Sequence, residues 1–217
     1  MGMQRASADR LSGVLDRLSR QGRAATRATL MHALGAYLVE RAIAEGDLVR
    51  LLPGVYAPAA IATDHRVRCH AVSLATGERA LIAGRSALHL YKERFPAPPR
   101  VEAVVAPGLH MPTAPWLAVR RRARPAITSA PAAIRSLTSE DAVVDAWIRA
   151  APSGRKGVLY EALWLRIATA RQVWNAQRKL ARVSGRPALT RILDEFLEGA
   201  HSPGEVMARR EVFNRPG

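Results

Sequence analysis

The chain has 217 residues, 48% of them hydrophobic, enough for one large or two small domains with a real core. Its 33 basic and 18 acidic side chains give a formal net charge of +15, which makes a polyanion the first partner to consider. No apolar run approaches the ~20 residues of a membrane span. The opening MGMQRASADR lacks the apolar segment of a signal peptide. The single cysteine, Cys69, excludes an internal disulfide and fits a reducing cytoplasm.

The first element is a helix over about 8–20, with Leu11, Val14, Leu15 and Leu18 on one face. Thr26 is an N-cap for a second helix, because its hydroxyl can accept an orphan N–H of the first turn. Leu30, Ala33 and Leu34 form that helix's apolar stripe. Gly35 suits a turn that needs positive φ. A third helix runs from about Ala36 to Glu45, with Leu38, Ala42 and Ile43 inward and Tyr37, Glu40 and Arg41 outward; Gly46 ends it. Residues 48–51 and 55–56 then make a hairpin around Pro53-Gly54. Helix, turn, helix, hairpin is the layout of a winged helix-turn-helix over residues 1–58.

In that layout the third helix enters the major groove of double-stranded DNA. Tyr37, Glu40 and Arg41 lie on its outward side, with Tyr37 and Arg41 reaching bases or phosphates. Arg27 and Arg50 are placed against phosphate, and the helix start at Thr26 and Arg27 offers it N–H groups. Winged helices also serve as protein-docking modules, so the layout alone leaves both readings open.

Beyond a linker at 57–60, residues 59–217 read as a mixed α/β domain, and the whole chain as α+β. A helix is predicted over 64–74, a strand over 80–83, and a helix capped by Ser86 and running to about Lys92. Strands follow at Val101–Val105 and Leu117–Arg121. Thr138 and Asp141 have capping-box spacing before a helix containing Val143, Val144, Trp147 and Ile148. The C-terminal part, from about 151, is helical. One helix is predicted over 157–183, with Leu159, Leu163, Ala170, Trp174 and Ala181 on one face at about 100° per residue. Arg171, Arg178, Lys179 and Arg182 are candidates for contact with an anion or an acidic partner. Ser202, Pro203 and Glu205 mark a last, short helix.

The charge is unevenly spread. Residues 1–60 carry 8 basic and 5 acidic side chains, whereas 151–217 carry 12 and 6. Arg155 to Arg191 holds nine bases against Glu161 alone. The bulk of the attraction for a polyanion is therefore expected outside the first 58 residues.

Motifs for other chemistry are weak. His65 and Cys69 stand four apart and can share a helix face, but no second ligand pair follows, so no metal or other cofactor is expected. The sequence contains no nucleophile elbow, phosphate-binding loop or dinucleotide fingerprint. Asp194, Glu195 and Glu198 cluster on what reads as the outer side of a helix. No catalytic residues are assigned, and the chain is not expected to be an enzyme.

The segments AATRATL and GDLVRLLPGVYAP, followed by ALIAGRSALHLY, RVEAVVAP and TSAPAAIRSLTSEDAVVDAW, resemble the AbiEi-type antitoxins of type IV toxin–antitoxin systems. The resemblance spans about three quarters of the chain, and the order of the segments carries it more than any one motif. It implies a bacterial winged helix-turn-helix joined to an α/β antitoxin domain. It also implies repression of the protein's own operator and neutralisation of a cognate nucleotidyltransferase toxin. Some members continue into a nuclease-like domain after a segment resembling HSPGEVMARREVF; here the sequence ends at Gly217 without the acidic cluster such a domain needs. The alternative reading is a non-DNA-binding adaptor whose basic C-terminal helix holds an acidic partner.

Overall fold

A computed structural model describes residues 2–122, 128–129 and 134–198. The chain is a mixed α+β protein that divides into two compact units. The first comprises Met1–Ile82, Pro98–Pro125 and Ala133–Arg135; the second comprises Ala83–Ala97, Ala126–Ala132 and Ser136–Gly217. The units thus divide elsewhere than at residue 58, and each collects separate stretches of chain.

The first unit begins with α1 (Gly2–Gln21), β1 (Ala25–Thr26), α2 (Arg27–Leu34) and α3 (Ala36–Ala44). Leu11 and Val14 of α1 meet Leu30 and Leu34 of α2 and Leu38, Val39 and Ala42 of α3 in one buried cluster. Burying a leucine or valine of this kind stabilises by about 1.5–3 kcal/mol. Thr26 caps α2: its Oγ1 accepts the Thr29 N–H at 3.1 Å. Gly35 lies at φ 82° between α2 and α3, in a region where a Cβ is strained, so the two helices are separated by this one residue.

β2 (Leu48–Leu52) and β3 (Val55–Pro58) form the hairpin, and β1 completes an antiparallel sheet of order β1-β3-β2. Ala57 and Pro58 pair with Val49 and Leu48 and are buried, so the segment read as a linker is sheet. α4 (His65–Ala75) is capped by Asp64, whose Oδ1 accepts the Val67 N–H at 3.0 Å. It packs on all three strands and also on a second sheet. That packing is why residues 59–82 belong with the first 58.

The second sheet runs β6-β5-β4 within this unit. β4 (Leu81–Ile82) is antiparallel to β5 (Val101–Val105), and β5 is parallel to β6 (Leu117–Arg121). β5 is buried at four of its five positions, as a central strand should be. The loop between β5 and β6 is fastened to α4 by the Arg68 guanidinium, 5.4 Å from the Trp116 ring centroid.

The second unit is helical around α6. Its elements are α5 (Gly84–Tyr91), β7 (Thr128–Ser129), α6 (Ser139–Arg149), α7 (Arg155–Trp164), α8 (Ala170–Arg178) and α9 (Arg186–Leu197). β8 (Arg135–Ser136) ends at the start of this unit's last stretch. α6 is capped by Thr138, which accepts the Asp141 N–H at 3.2 Å, as the spacing predicts. Ala142 to Trp147 are all buried, because α5, α7 and α8 cover α6 on several sides. The buried Asp145 is paired with Arg149 Nε at 2.6 Å.

Two helix expectations are corrected. Ser86 does not cap α5; the helix starts two residues earlier, and Ser86 is buried within it. The helix read over 157–183 is two helices. Arg166 takes φ 54°, Ile167 and Ala168 turn into the core, and Thr169 restarts the helix with a full capping box to Gln172. The shared face predicted across that span therefore does not exist, and Ala181 is exposed. The helix expected from Ser202 lies outside the described residues.

Candidate nucleic-acid interface

The outward face of α3 follows from its inward one. With Leu38, Val39 and Ala42 buried, helical geometry turns Tyr37, Glu40, Arg41 and Ala44 to solvent. Tyr37 is 76% exposed, a large aromatic side chain left outside the core. Arg41 Nε donates to Glu45 Oε1 at 2.8 Å, one helical turn on. Arg27, at the start of α2, forms an ion pair with Glu40 of α3. Each carboxylate raises its arginine's pKa, first by hydrogen bonding and then by charge.

Arg50 is exposed on β2. Strict alternation would place it with Leu48 and Leu52, both buried, but the register shifts between Arg50 and Leu52. Such a bulge re-aims side chains. The expectation of open N–H groups at the start of α2 is corrected. The Arg27 N–H donates to Gly54 O at 2.8 Å, and the Thr29 N–H is taken by Thr26. Arg27 thus joins the hairpin turn through its backbone and α3 through its side chain. Glu45 was missed as a member of this face, although its spacing from Arg41 is the signal for a helical ion pair. The Arg27–Glu40 pair spans 13 positions and has no such signal.

The basic C-terminal stretch is less uniform than its composition. Arg171 and Arg178 are exposed on α8 and, seven apart, share a side of it. The Arg178 guanidinium lies 4.4 Å from the Trp174 ring centroid. Lys179 is the C-cap of α8, and Arg182 lies in the turn before α9; both are exposed. Two other bases are spent on the fold. Arg155 donates to Trp147 O at 3.2 Å and to Ser184 Oγ at 2.9 Å. Arg186 donates to Gln177 O at 3.3 Å and to Leu180 O. A groove on α9 also sets Arg186 and Arg191 beside Asp194, Glu195 and Glu198. The exposed bases left on this unit include Arg171, Arg178, Lys179 and Arg182 on α8 and the turn after it, together with Lys156 on α7 and Arg166 just beyond it.

Cys69 is buried, and burial pushes its thiol pKa up, which disfavours the thiolate a metal would need. Among the described residues no three His, Cys, Asp or Glu side chains come together as metal ligands. His70, half-buried, accepts the Ala24 N–H at its Nδ1 at 3.2 Å. No helix among the described residues is long and apolar enough to cross a membrane.

No family model matches the chain, and no curated protein matches it. Among solved structures it is similar to the RV2827C protein from Mycobacterium tuberculosis. The TM-score is 0.54 at 19% identity, over 94% of this chain and 80% of that one. At that identity the likeness shows a shared fold and nothing finer.

Proposed function

We propose that the chain is a cytoplasmic DNA-binding transcriptional regulator of the AbiEi antitoxin type, which represses its own operator through a winged helix-turn-helix. One observation carries this reading. A short helix held just after a single-residue turn presents an exposed Tyr37 with Glu40 and Arg41, beside a hairpin that exposes Arg50. An α-helix with a polar, aromatic-bearing outer face is what the major groove admits, and the hairpin's arginine suits the adjoining phosphates. The net charge of +15 supplies the sequence-independent attraction.

The test compares binding to the protein's own upstream DNA with binding to random duplex at several salt concentrations. Preference for the upstream DNA, with affinity falling steeply as salt rises, supports the reading; equal affinity for both sequences refutes it.

A second contact is proposed for the basic α8. Arg171 and the Trp174-supported Arg178 suit an acidic protein surface, since arginine and tryptophan are favoured at interface centres. In the antitoxin reading that surface belongs to a cognate nucleotidyltransferase toxin. In the adaptor alternative it belongs to another acidic partner, and DNA is not bound. Removing residues 1–58 would strip β1–β3 from α4, so the two are separated by charge reversal. Arg171→Glu with Arg178→Glu should abolish partner capture in both readings, and only the antitoxin reading predicts that specific DNA binding remains.

A further inference from the structure

We infer that Glu40 is a specificity-determining residue of the α3 face that trades partners on binding. In the free protein its carboxylate occupies the Arg27 guanidinium where a DNA phosphate would sit. On the cognate site Arg27 passes to that phosphate, and Glu40 accepts a hydrogen bond from a base amine in the major groove. The inference rests on the DNA-binding reading above.

Three observations carry it. The Arg27 backbone N–H is committed to Gly54 O, so the residue can meet a phosphate only through its guanidinium, which Glu40 already holds. The pair bridges two helices, α2 and α3, with side chains 49% and 56% exposed. An exposed ion pair of this kind contributes little to stability, so exchanging the carboxylate for a phosphate costs little. Glu40 also stands on the same outward face as Tyr37 and Arg41, where a carboxylate otherwise works against a polyanion.

The chemistry of the groove gives that carboxylate a use. Only cytosine N4 and adenine N6 present amine donors there, and a carboxylate, which can only accept, matches cytosine N4. Against the acceptor edges of guanine and thymine the released carboxylate has no partner and is repelled. Glu40 therefore penalises wrong sequences more than it strengthens the right one. Glu93, exposed and outside the α3 face, supplies a control for removing one negative charge.

The experiment uses the full chain and a duplex that the wild-type protein selects from a random library. Glu40→Gln, Glu40→Ala and Glu93→Gln are compared for binding to that duplex and to a random duplex of equal length. The Glu40 variants should bind the random duplex more tightly, and the ratio of selected to random affinity should fall about tenfold. Selection repeated with Glu40→Ala should lose preference at a single base pair. Glu93→Gln should keep the wild-type ratio. An unchanged ratio in both Glu40 variants, or an equal fall in Glu93→Gln, overturns the inference. If the wild-type protein enriches no sequence at all, the DNA-binding reading itself has failed. Because the pair is exposed, the urea midpoint of each variant should match the wild type, which separates loss of discrimination from loss of fold.

Discussion

Gly185→Ala tests whether the basic C-terminal stretch is partly structural. Gly185 sits at φ 71°, and a Cβ there would lie 2.5 Å from one terminal nitrogen of Arg155 and 3.5 Å from Trp147 Nε1. The left-handed backbone costs a residue with a Cβ about 1 kcal/mol. The guanidinium could swing away, but it is anchored to Trp147 O, Ala150 O and Ser184 Oγ at 2.9–3.3 Å. Displacing one such charged hydrogen bond adds about 1.5–3 kcal/mol. The sum is about 3 kcal/mol, readable as a lower urea midpoint by tryptophan fluorescence. In an Arg155→Ala background only the backbone strain of about 1 kcal/mol should remain. A Gly185→Ala protein as stable as wild type, or one equally costly in both backgrounds, would refute the steric argument and return Arg155 to the pool of partner-facing charge.

Three further outcomes are expected. Thr26→Ala removes the cap of α2 and should lower stability by about 1 kcal/mol in urea unfolding, with Thr26→Ser largely restoring it. Arg171→Ala with Arg178→Ala should leave the slope of log affinity against log salt unchanged, because α8 serves a protein partner; a slope shallower by about 1.8 would instead assign both arginines to duplex phosphates. Burial, and then the charge of Arg23, hold the His70 pKa below its ordinary 6.5, while Ala24 uses the Nδ1 lone pair. The unfolded chain then binds the proton more readily. His70 should contribute stability above about pH 6.5 that is lost as pH falls toward its folded pKa. His70→Asn should flatten that slope between pH 7 and 5, measured by urea midpoints.

Local chemistry was legible wherever one residue decides a structure through its neighbours. Thr26 and Thr138 cap helices as read, and Gly35 turns the chain at positive φ. Residues 101–105 and 117–121 form strands over the predicted spans. The reading failed where a partner distant in sequence overrode the local signal. Ala57 and Pro58 look like a linker until β2 pairs with them. Ser86 has cap chemistry, yet the core claims it. The helical period over 157–183 is real in each half, but burial of Ile167 and Ala168 breaks it between them.

The candidate site was readable in the same measure. Periodicity alone turned Tyr37, Glu40 and Arg41 outward. The hold of Glu40 on Arg27 needed two helices to meet across a turn, and the bond from Arg27 to Gly54 needed the hairpin to fold back on α2.

Composition and periodicity by themselves determined that this is a basic α+β chain, with an amphipathic helix pair followed by a hairpin near its start. Those properties depend on side-chain chemistry and on contacts a few residues apart. Only the tertiary structure decided which arginines are available. Arg155 and Arg186 are drawn inward by backbone carbonyls, Arg27 and Arg41 are held by carboxylates, and Arg171 and Arg178 stay exposed. A charge count weights all of them equally; the fold does not, because an arginine's reach for a partner depends on which acceptors the packed chain has already placed beside it.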